Sequence, residues 1–173
     1  MEMNRAGASA VQLWPLMLPD VGKELIDHSV NRLSRSGLQF DKIVGRGMSG
    51  VIFATLLGYA LDKPFCIARK EGDNCHGRHA YRNGPGGGTY LAVDDHASSG
   101  RSMEALVSFQ KTYDPGATLV ALFFWNSYEK ESRMFNNDPI WPSVYSKLQK
   151  TFNVPVIGQD FGYITWRQAK WPR

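Results

Sequence analysis

The hydrophobic positions of this chain fall into short continuous runs that alternate with helically spaced ones. Continuous apolar runs predict strands at 40–44, 64–68, 90–93, 117–125 and 154–157. The run at 117–125 is apolar on both faces, which is typical of a strand inside a parallel sheet. A polar connection that contains six glycines, at 72, 77, 84, 86, 87 and 88, separates the second and third predicted strands. Its length and composition predict a functional surface loop.

Helical spacing fills most of the other connections. The first predicted helix has an apolar face at positions 25, 26, 30 and 33, and we expect Asp20 to cap it and Gly37 to end it. Further helices are predicted at 51–61, 101–111 and 143–152, and the one at 51–61 is apolar on almost every side, which indicates burial. Strands that alternate with helices predict an α/β fold, an open, mostly parallel, doubly wound sheet with helices on both faces.

Composition limits the classes of protein to consider. The chain has 173 residues, 43% of them hydrophobic, which indicates one globular domain. Its net charge of +4 favours an anionic partner such as a phosphorylated metabolite, and a nucleic-acid partner is not expected because only 163–173 combine basic and aromatic residues. Cys66 and Cys75 form neither a metal motif nor a disulfide framework, so we expect a reducing, cytoplasmic location. Neither a signal peptide nor a membrane-spanning run is predicted.

The turn after the first predicted strand spells G-x-G-x-x-G over Gly45–Gly50. Glu71 follows this strand at roughly the 20-residue distance at which a dinucleotide-binding fold places its ribose-binding acid. One hypothesis is therefore a nicotinamide-dependent oxidoreductase, although it leaves little chain for a substrate domain and gives no role to the acids at 94 and 95. A P-loop nucleotidase is disfavoured because the chain contains no G-x-x-x-x-G-K-[ST] motif.

A second motif follows the third predicted strand, which ends in Asp94 and Asp95. Small residues at 97–100 come next, before the following helix. Carboxylates accept hydrogen bonds from hydroxyl groups, whereas a helix N-terminus offers free N–H groups to a phosphate. A sugar phosphate carries both groups at opposite ends, so one such ligand would suit both halves of the motif. The structural alternative is that the adjacent acids only cap the next helix.

Three segments resemble motifs of the type I phosphoribosyltransferases. Residues 93–102 resemble the family's phosphoribosyl-diphosphate signature, an apolar strand that ends in two acids and a short Ser-Gly loop. Residues 45–50 resemble the diphosphate loop, in the version of the adenine enzymes. Arg69–Glu71 with His76 and Gly77 resembles the start of the flexible catalytic loop of the orotate enzymes.

The resemblance implies a single phosphoribosyltransferase-like domain over residues 1–173. Its core would span about 38–160, and a small hood would form from 1–37 and 126–173. Four side chains are candidates to contact a planar base by stacking or hydrogen bonding: Trp125, Asn126, Tyr128 and Trp141. The favoured interpretation is instead that they belong to the core or to an interface.

The implied activity is transfer of the 5-phosphoribosyl group from phosphoribosyl diphosphate to a nitrogenous base, an orotate-like pyrimidine or a purine, with release of diphosphate. Mg²⁺ would be the cofactor, held mostly through water by Asp94 and Asp95. A homodimer is expected by the same resemblance. The sequence departs from the family pattern at three places: His96 stands in place of an aliphatic residue, Arg101 in place of Gly or Thr, and Asp73 and Asn74 where the orotate enzymes carry a basic residue in the flexible loop. These departures motivate an alternative: a non-catalytic regulator that binds phosphoribosyl diphosphate or a nucleotide.

The resemblance also implies roles for individual residues. It implies a strained cis peptide bond at Arg46–Gly47. The implied catalytic residues are Lys70, His76, Arg78 and Asp95. The implied ligands of the ribose and the 5-phosphate are Asp94, Asp95, Ala97, Ser98, Ser99, Gly100, Arg101 and Ser102. The implied ligands of the diphosphate are Arg46, Gly47, Met48, Arg69 and Lys70, and Arg82 is a further candidate to close over it.

Overall fold

The computed structural model describes residues 16–69, 82–83, 85–97, 99–125 and 140–158. Its helices are α1 (Pro19–Ser36), α2 (Gly47–Leu61), α3 (Arg101–Tyr113) and α4 (Ile140–Phe152). Its strands are β1 (Lys42–Arg46), β2 (Phe65–Ala68), β3 (Arg82–Asn83), β4 (Thr89–Asp94), β5 (Thr118–Phe124) and β6 (Val156–Gly158). Of the segments assigned to the hood, 1–15, 126–139 and 159–173 lie outside this description.

The strands form one six-stranded sheet in the order β3-β2-β1-β4-β5-β6. β3 runs antiparallel to β2, and every other neighbouring pair is parallel. The expected open, mostly parallel α/β sheet is therefore confirmed. The strand order reverses direction between β1 and β4, and ligands of such sheets bind in the crevice outside the carboxyl ends of the strands at this point.

Two hydrophobic clusters cover the sheet, and successive strand residues belong to different ones. Ile43 and Val93 join the cluster that contains buried residues of α1 and α2, such as Phe53. Val44 and Ala92 join the cluster that contains buried residues of α3 and α4, such as Leu148. Because strand side chains alternate between faces, helices cover the sheet on both sides, as the apolar strands predicted.

The first helix ends as the sequence predicted but starts differently. Gly37 follows α1 in the left-handed conformation (φ 68°), which suits glycine because it has no Cβ. The expected Asp20 cap is wrong: Leu18 is the N-cap residue, and Asp20 lies inside the first turn, where its charge favours the helix dipole.

The segment around residues 40–50 departs most from the predictions. The strand predicted at 40–44 is observed at Lys42–Arg46, and the backbone N–H of Asp41, just before it, donates to the carbonyl of Thr89. The turn expected at 45–50 is absorbed into β1 and α2. Gly47 turns the chain with φ 71°, and the expected cis bond at Arg46–Gly47 is wrong, since the described residues contain no cis peptide bond.

Two further predictions need correction. The helix predicted at 51–61 starts at Gly47, and it is not fully buried, because Tyr59 is 78% and Leu56 is 37% exposed. The glycine-rich connection contains the two-residue strand β3, which the pattern did not predict because two residues carry no periodicity. None of the helices within the described ranges is long and apolar enough to cross a membrane.

Candidate active site

The two predicted motifs meet where the order of strands reverses. Gly45 of β1 lies opposite Val93 of β4, so Arg46 and Asp94 leave neighbouring strands at the same edge of the sheet. A Cβ atom on Gly45 would overlap the carbonyl oxygen of Gly50, and one on Gly50 would lie 3.0 Å from the carbonyl oxygen of Val93. Three stretches of backbone therefore meet here with no room for a side chain at either glycine.

Asp94 is buried at this junction, with 5% of its surface exposed. Its Oδ1 accepts hydrogen bonds from the backbone N–H of Asp95 at 3.0 Å and from the hydroxyl of Ser49, the third residue of α2, at 3.5 Å. Burial, and then the neighbouring charge of Asp95, raise the pKa of Asp94 to about 7, although a hydrogen bond from Ser102 opposes this. Both motifs and α3 therefore contact one carboxyl group.

Asp95 and His96 form a close pair. Asp95 Oδ1 accepts the backbone N–H of His96 at 2.8 Å and lies 3.2 Å from its Nδ1. Burial alone would raise the pKa of Asp95 and lower that of His96. Their mutual hydrogen bond and charge outweigh burial, so the pKa of Asp95 is lowered and that of His96 is raised. In the sequence His96 stands out only as a departure from the family pattern. Its position directly after two acids could have indicated that it pairs with one of them.

The acids do not cap the following helix. The N-cap residue of α3 is Gly100, which has no side chain, and the N–H of Arg101 donates to Ser99 Oγ at 3.4 Å rather than to either acid. The structural alternative for Asp94 and Asp95 is therefore wrong.

The segment 97–102 separates small buried residues from exposed polar ones. Ala97 is 2% exposed and Gly100 is buried, whereas Ser99, Arg101 and Ser102 are exposed. Gly100 adopts φ 79°, a left-handed conformation, and its carbonyl accepts the N–H of Glu104 at 3.0 Å. The loop thus presents hydroxyl and cationic side chains at the start of α3, the end of a helix that favours anions. Ser98 lies outside the described residues.

The cationic side of the site is described only in part. Arg46 ends β1 opposite Ala68 of β2, so Arg46 and Arg69 leave adjacent strands at the same edge, and both are half-buried. Met48 is 69% exposed in the first turn of α2. Lys70, His76 and Arg78 lie outside the described residues.

The donor set of the acid pair suits Mg²⁺ in part. Asp94 and Asp95 offer carboxyl oxygens, the hard ligands that this ion takes. In the described ranges, no group of three or more His, Cys, Asp or Glu side chains converges on one point. A magnesium ion here would therefore need water or ligand oxygens to complete its coordination.

Trp125 belongs to the core. It has no exposed surface, and its ring stacks on Phe53 with centroids 5.6 Å apart. Its backbone N–H donates to the carbonyl of Asp94 at 3.2 Å, which ties the end of β5 to the acid pair. The favoured interpretation of Trp125 as a core residue is confirmed, whereas Asn126, Tyr128 and the side chain of Trp141 are outside the description.

The chain is similar to known proteins in sequence. No family model matches the chain. An orotate phosphoribosyltransferase of Allorhizobium ampelinum is 32% identical over 130 residues, which cover 70% of this chain and 55% of the relative. The chain thus spans about half the length of this relative and of a second orotate phosphoribosyltransferase, from Rhizobium johnstonii.

Solved structures share the fold. An orotate phosphoribosyltransferase of Francisella tularensis superposes with a TM-score of 0.59 at 17% identity, covering 87% of this chain and 71% of that one. The adenine phosphoribosyltransferase of Saccharomyces cerevisiae also gives 0.59, at 23% identity, covering 83% of this chain and 80% of that one.

Proposed function

Because this chain belongs to the type I phosphoribosyltransferase family, we propose that it transfers the 5-phosphoribosyl group of phosphoribosyl diphosphate to a nitrogenous base. The observation that carries the proposal is the meeting of Asp94, Asp95 and the 97–102 loop with Arg46 and Gly47 at the point where the strand order reverses. Family membership disfavours the nicotinamide hypothesis. It gives the glycines at 45–50 a different role, that of a diphosphate loop.

The proposed donor site has two ends. Asp94 and Asp95 would accept hydrogen bonds from the ribose hydroxyls, and the lowered pKa of Asp95 keeps this carboxylate ionised for that purpose. The 5-phosphate would bind at Ala97, Ser98, Ser99, Gly100, Arg101 and Ser102, where the exposed hydroxyls, the Arg101 guanidinium and the first amides of α3 are all donors.

The reaction would proceed by displacement at C1 of the ribose. A ring nitrogen of the base forms a bond to C1 and loses its proton to water, while the bond from C1 to the diphosphate oxygen breaks and its electron pair leaves with the diphosphate. Positively charged side chains beside the departing diphosphate, and the exclusion of water, lower the barrier. Arg46, Arg69 and the backbone amides of Gly47 and Met48 would hold the diphosphate, and Lys70, His76 and Arg78 would supply further positive charge. Mg²⁺, when bound near Asp94 and Asp95, would add charge to the same oxygens.

Orotate is the first base to test. The relatives that reach 30% identity or more carry the name orotate phosphoribosyltransferase, whereas adenine enzymes are similar in fold. Purified protein with phosphoribosyl diphosphate and Mg²⁺ should release diphosphate when orotate is added. Adenine and other bases in parallel reactions test the alternatives.

Asp95→Asn should lower kcat at least about 100-fold. Loss of the carboxylate charge weakens the hydrogen bonds to the ribose hydroxyls and the electrostatic stabilisation of the sugar as C1 becomes positive. Asp27→Asn is the matched control, because Asp27 is an exposed acid of α1 far along the chain from both motifs. Full activity of Asp95→Asn would contradict the proposed ribose site. Tight binding of phosphoribosyl diphosphate in calorimetry with no turnover on any base would overturn the transfer reaction and favour the non-catalytic regulator.

Two expectations from the family resemblance stay predictions. The homodimer can be checked by sedimentation velocity, in which a single species of 19.4 kDa would contradict it. The cytoplasmic location can be checked by fractionation of cells that express the chain.

A further inference from the structure

Helix α4 packs against the candidate phosphate loop, residues 97–102, at Gly100. Leu148 of α4 has no exposed surface, and a Cβ atom placed on Gly100 would lie 3.0 Å from its Cδ2 and 3.4 Å from its Cγ. The Leu148 side chain therefore fills the space next to the Cα atom of Gly100. This contact connects the loop to α4, although α3 and β5 lie between them along the chain.

The contact falls at the residue that controls the path of the loop. Gly100 has φ 79°, and its carbonyl accepts the N–H of Glu104, which starts the hydrogen-bonded turns of α3. Ala97, the other described buried residue of the loop, belongs to the same hydrophobic cluster as Leu148. Gly100 thus lies against α4, whereas Ser99, Arg101 and Ser102 of the same segment are exposed.

Helix α4 is itself fixed to the sheet and to α3. The ring of Tyr145 stacks on Phe124 of β5 with centroids 5.2 Å apart and planes 11° apart. Lys147 Nζ lies 2.8 Å from Glu104 Oε1, which joins the middle of α4 to the first turn of α3. Leu148 therefore projects from a helix that contacts both β5 and α3.

We propose that Leu148 is a positioning residue for the 5-phosphate site: it supports Gly100 from below and so fixes the direction of the loop amides and of the first turn of α3. This inference rests on the proposed function, because it assigns the loop to the phosphate of the donor. Anion binding by backbone amides depends on their orientation, so a small displacement of Gly100 weakens several hydrogen bonds together.

The test compares two leucines of equal burial. Leu148→Ala and Leu57→Ala each remove a side chain with no exposed surface, but Leu57 lies in α2, in the cluster on the other face of the sheet. Both should lower the midpoint of urea unfolding. Only Leu148→Ala should weaken binding of ribose 5-phosphate in calorimetry, by about tenfold or more, whereas Leu57→Ala should change it about twofold at most. In turnover, Leu148→Ala should raise KM for phosphoribosyl diphosphate more than it lowers kcat.

A milder pair of variants covers the case in which Leu148→Ala does not fold. Leu148→Val removes the Cδ2 atom beside Gly100 and should weaken binding in the same direction, whereas Leu148→Met keeps the volume and should retain most of the affinity. Unchanged ribose 5-phosphate binding by Leu148→Val would overturn the inference. So would equal weakening by Leu57→Ala, because the effect would then follow from lost stability alone.

The design separates this inference from the proposed function. If the wild-type protein binds ribose 5-phosphate but transfers the phosphoribosyl group of phosphoribosyl diphosphate to no base, the transfer reaction fails and the Leu148 comparison still decides the inference. If the wild-type protein does not bind ribose 5-phosphate, the assignment of the loop fails, and the inference with it.

Discussion

Single glycines determine how closely the motifs approach each other at the residue scale. Gly45 lies against Gly50, and Gly50 lies against the backbone of Val93, so α2 starts directly over the end of β4. This contact brings the Ser49 hydroxyl within 3.5 Å of Asp94. The glycines of the G-x-G-x-x-G pattern thus act through the absence of a Cβ atom, which allows backbone to contact backbone.

Gly45→Ala and Gly37→Ala should separate steric overlap from backbone strain. At Gly45 a Cβ atom would meet backbone of Gly50 and lie 2.9 Å from the Cβ of Ala54, so α2 must move, at a cost of about 3 kcal/mol or more. At Gly37 the described residues leave at least 4 Å free, and only the positive φ opposes alanine, at about 1 kcal/mol. Urea unfolding measures both. Equal losses would contradict the steric explanation.

Asp41 connects the start of β1 to the start of β4. Its Oδ2 accepts the backbone N–H of Thr89 at 2.7 Å and the Thr89 hydroxyl at 2.8 Å. The backbone bond first, and the hydroxyl bond second, hold the pKa of Asp41 below its ordinary value of 3.8. A carboxyl whose pKa is lower in the folded state stabilises the fold above its unfolded pKa, and this contribution disappears as the pH falls through the folded pKa.

Asp41→Asn should therefore cost stability near neutral pH and cost progressively less below about pH 4, where the carboxyl of the unfolded chain is protonated first and that of the folded protein at a lower pH. Urea unfolding across this range gives the difference between the two proteins. A difference that stays constant down to the most acidic condition would show that the Asp41 charge contributes nothing.

At the element scale, a buried ion pair joins three parts of the chain. Lys42, the first residue of β1, is 1% exposed, and its Nζ lies 2.7 Å from Oδ2 of Asp114, the residue that follows α3. The same Nζ donates to the carbonyl of Pro85 at 3.0 Å, and Asp114 Oδ1 accepts the N–H of Gly87 at 2.9 Å. The ion pair thus joins three segments at the edge of the sheet opposite the candidate site: β1, the end of α3 and the segment that leads into β4.

Breaking this pair from one side should be more costly than removing both charges. Lys42→Met leaves the Asp114 carboxylate buried without its cation, at about 3–5 kcal/mol. Lys42→Met combined with Asp114→Asn also removes the carboxylate charge that faced Lys42 and keeps an acceptor for Gly87, so the double variant should be more stable than Lys42→Met alone. Urea unfolding of both proteins decides. A double variant that is less stable than Lys42→Met would contradict this account.

The same scale shows where sequence patterns lose precision. The core strands β4 and β5 were predicted to within a residue or two because their apolar runs are buried on both faces. The start of β1 was wrong by two residues, because Phe40 is apolar and buried without joining the ladder. A pattern reports burial, whereas strand bounds depend on hydrogen bonds such as those between Asp41 and Thr89.

At the scale of the whole molecule, the order of the strands brings the motifs together. Gly47 and Asp94 lie 47 positions apart along the chain, yet β1 and β4 are neighbours, and the strand order reverses between them. The alternation of strands and helices predicted the class of fold and the edge at which both motifs lie. It could not predict that β3 runs antiparallel or that α4 lies beneath Gly100, because both depend on contacts between distant segments.

The sequence by itself determined the α/β class and the residue types at each motif, because these follow from local periodicity and from short runs of side chains with a defined chemistry. The family entered as a resemblance of those short motifs to known ones. Only the tertiary structure decided that Asp94 is buried under the first turn of α2, that Asp95 is paired with His96, and that Leu148 supports Gly100. The physical reason is that burial, pKa and support arise from atoms that are distant in sequence. Only packing of the complete sheet and its helices brings those atoms within a few ångströms of one another.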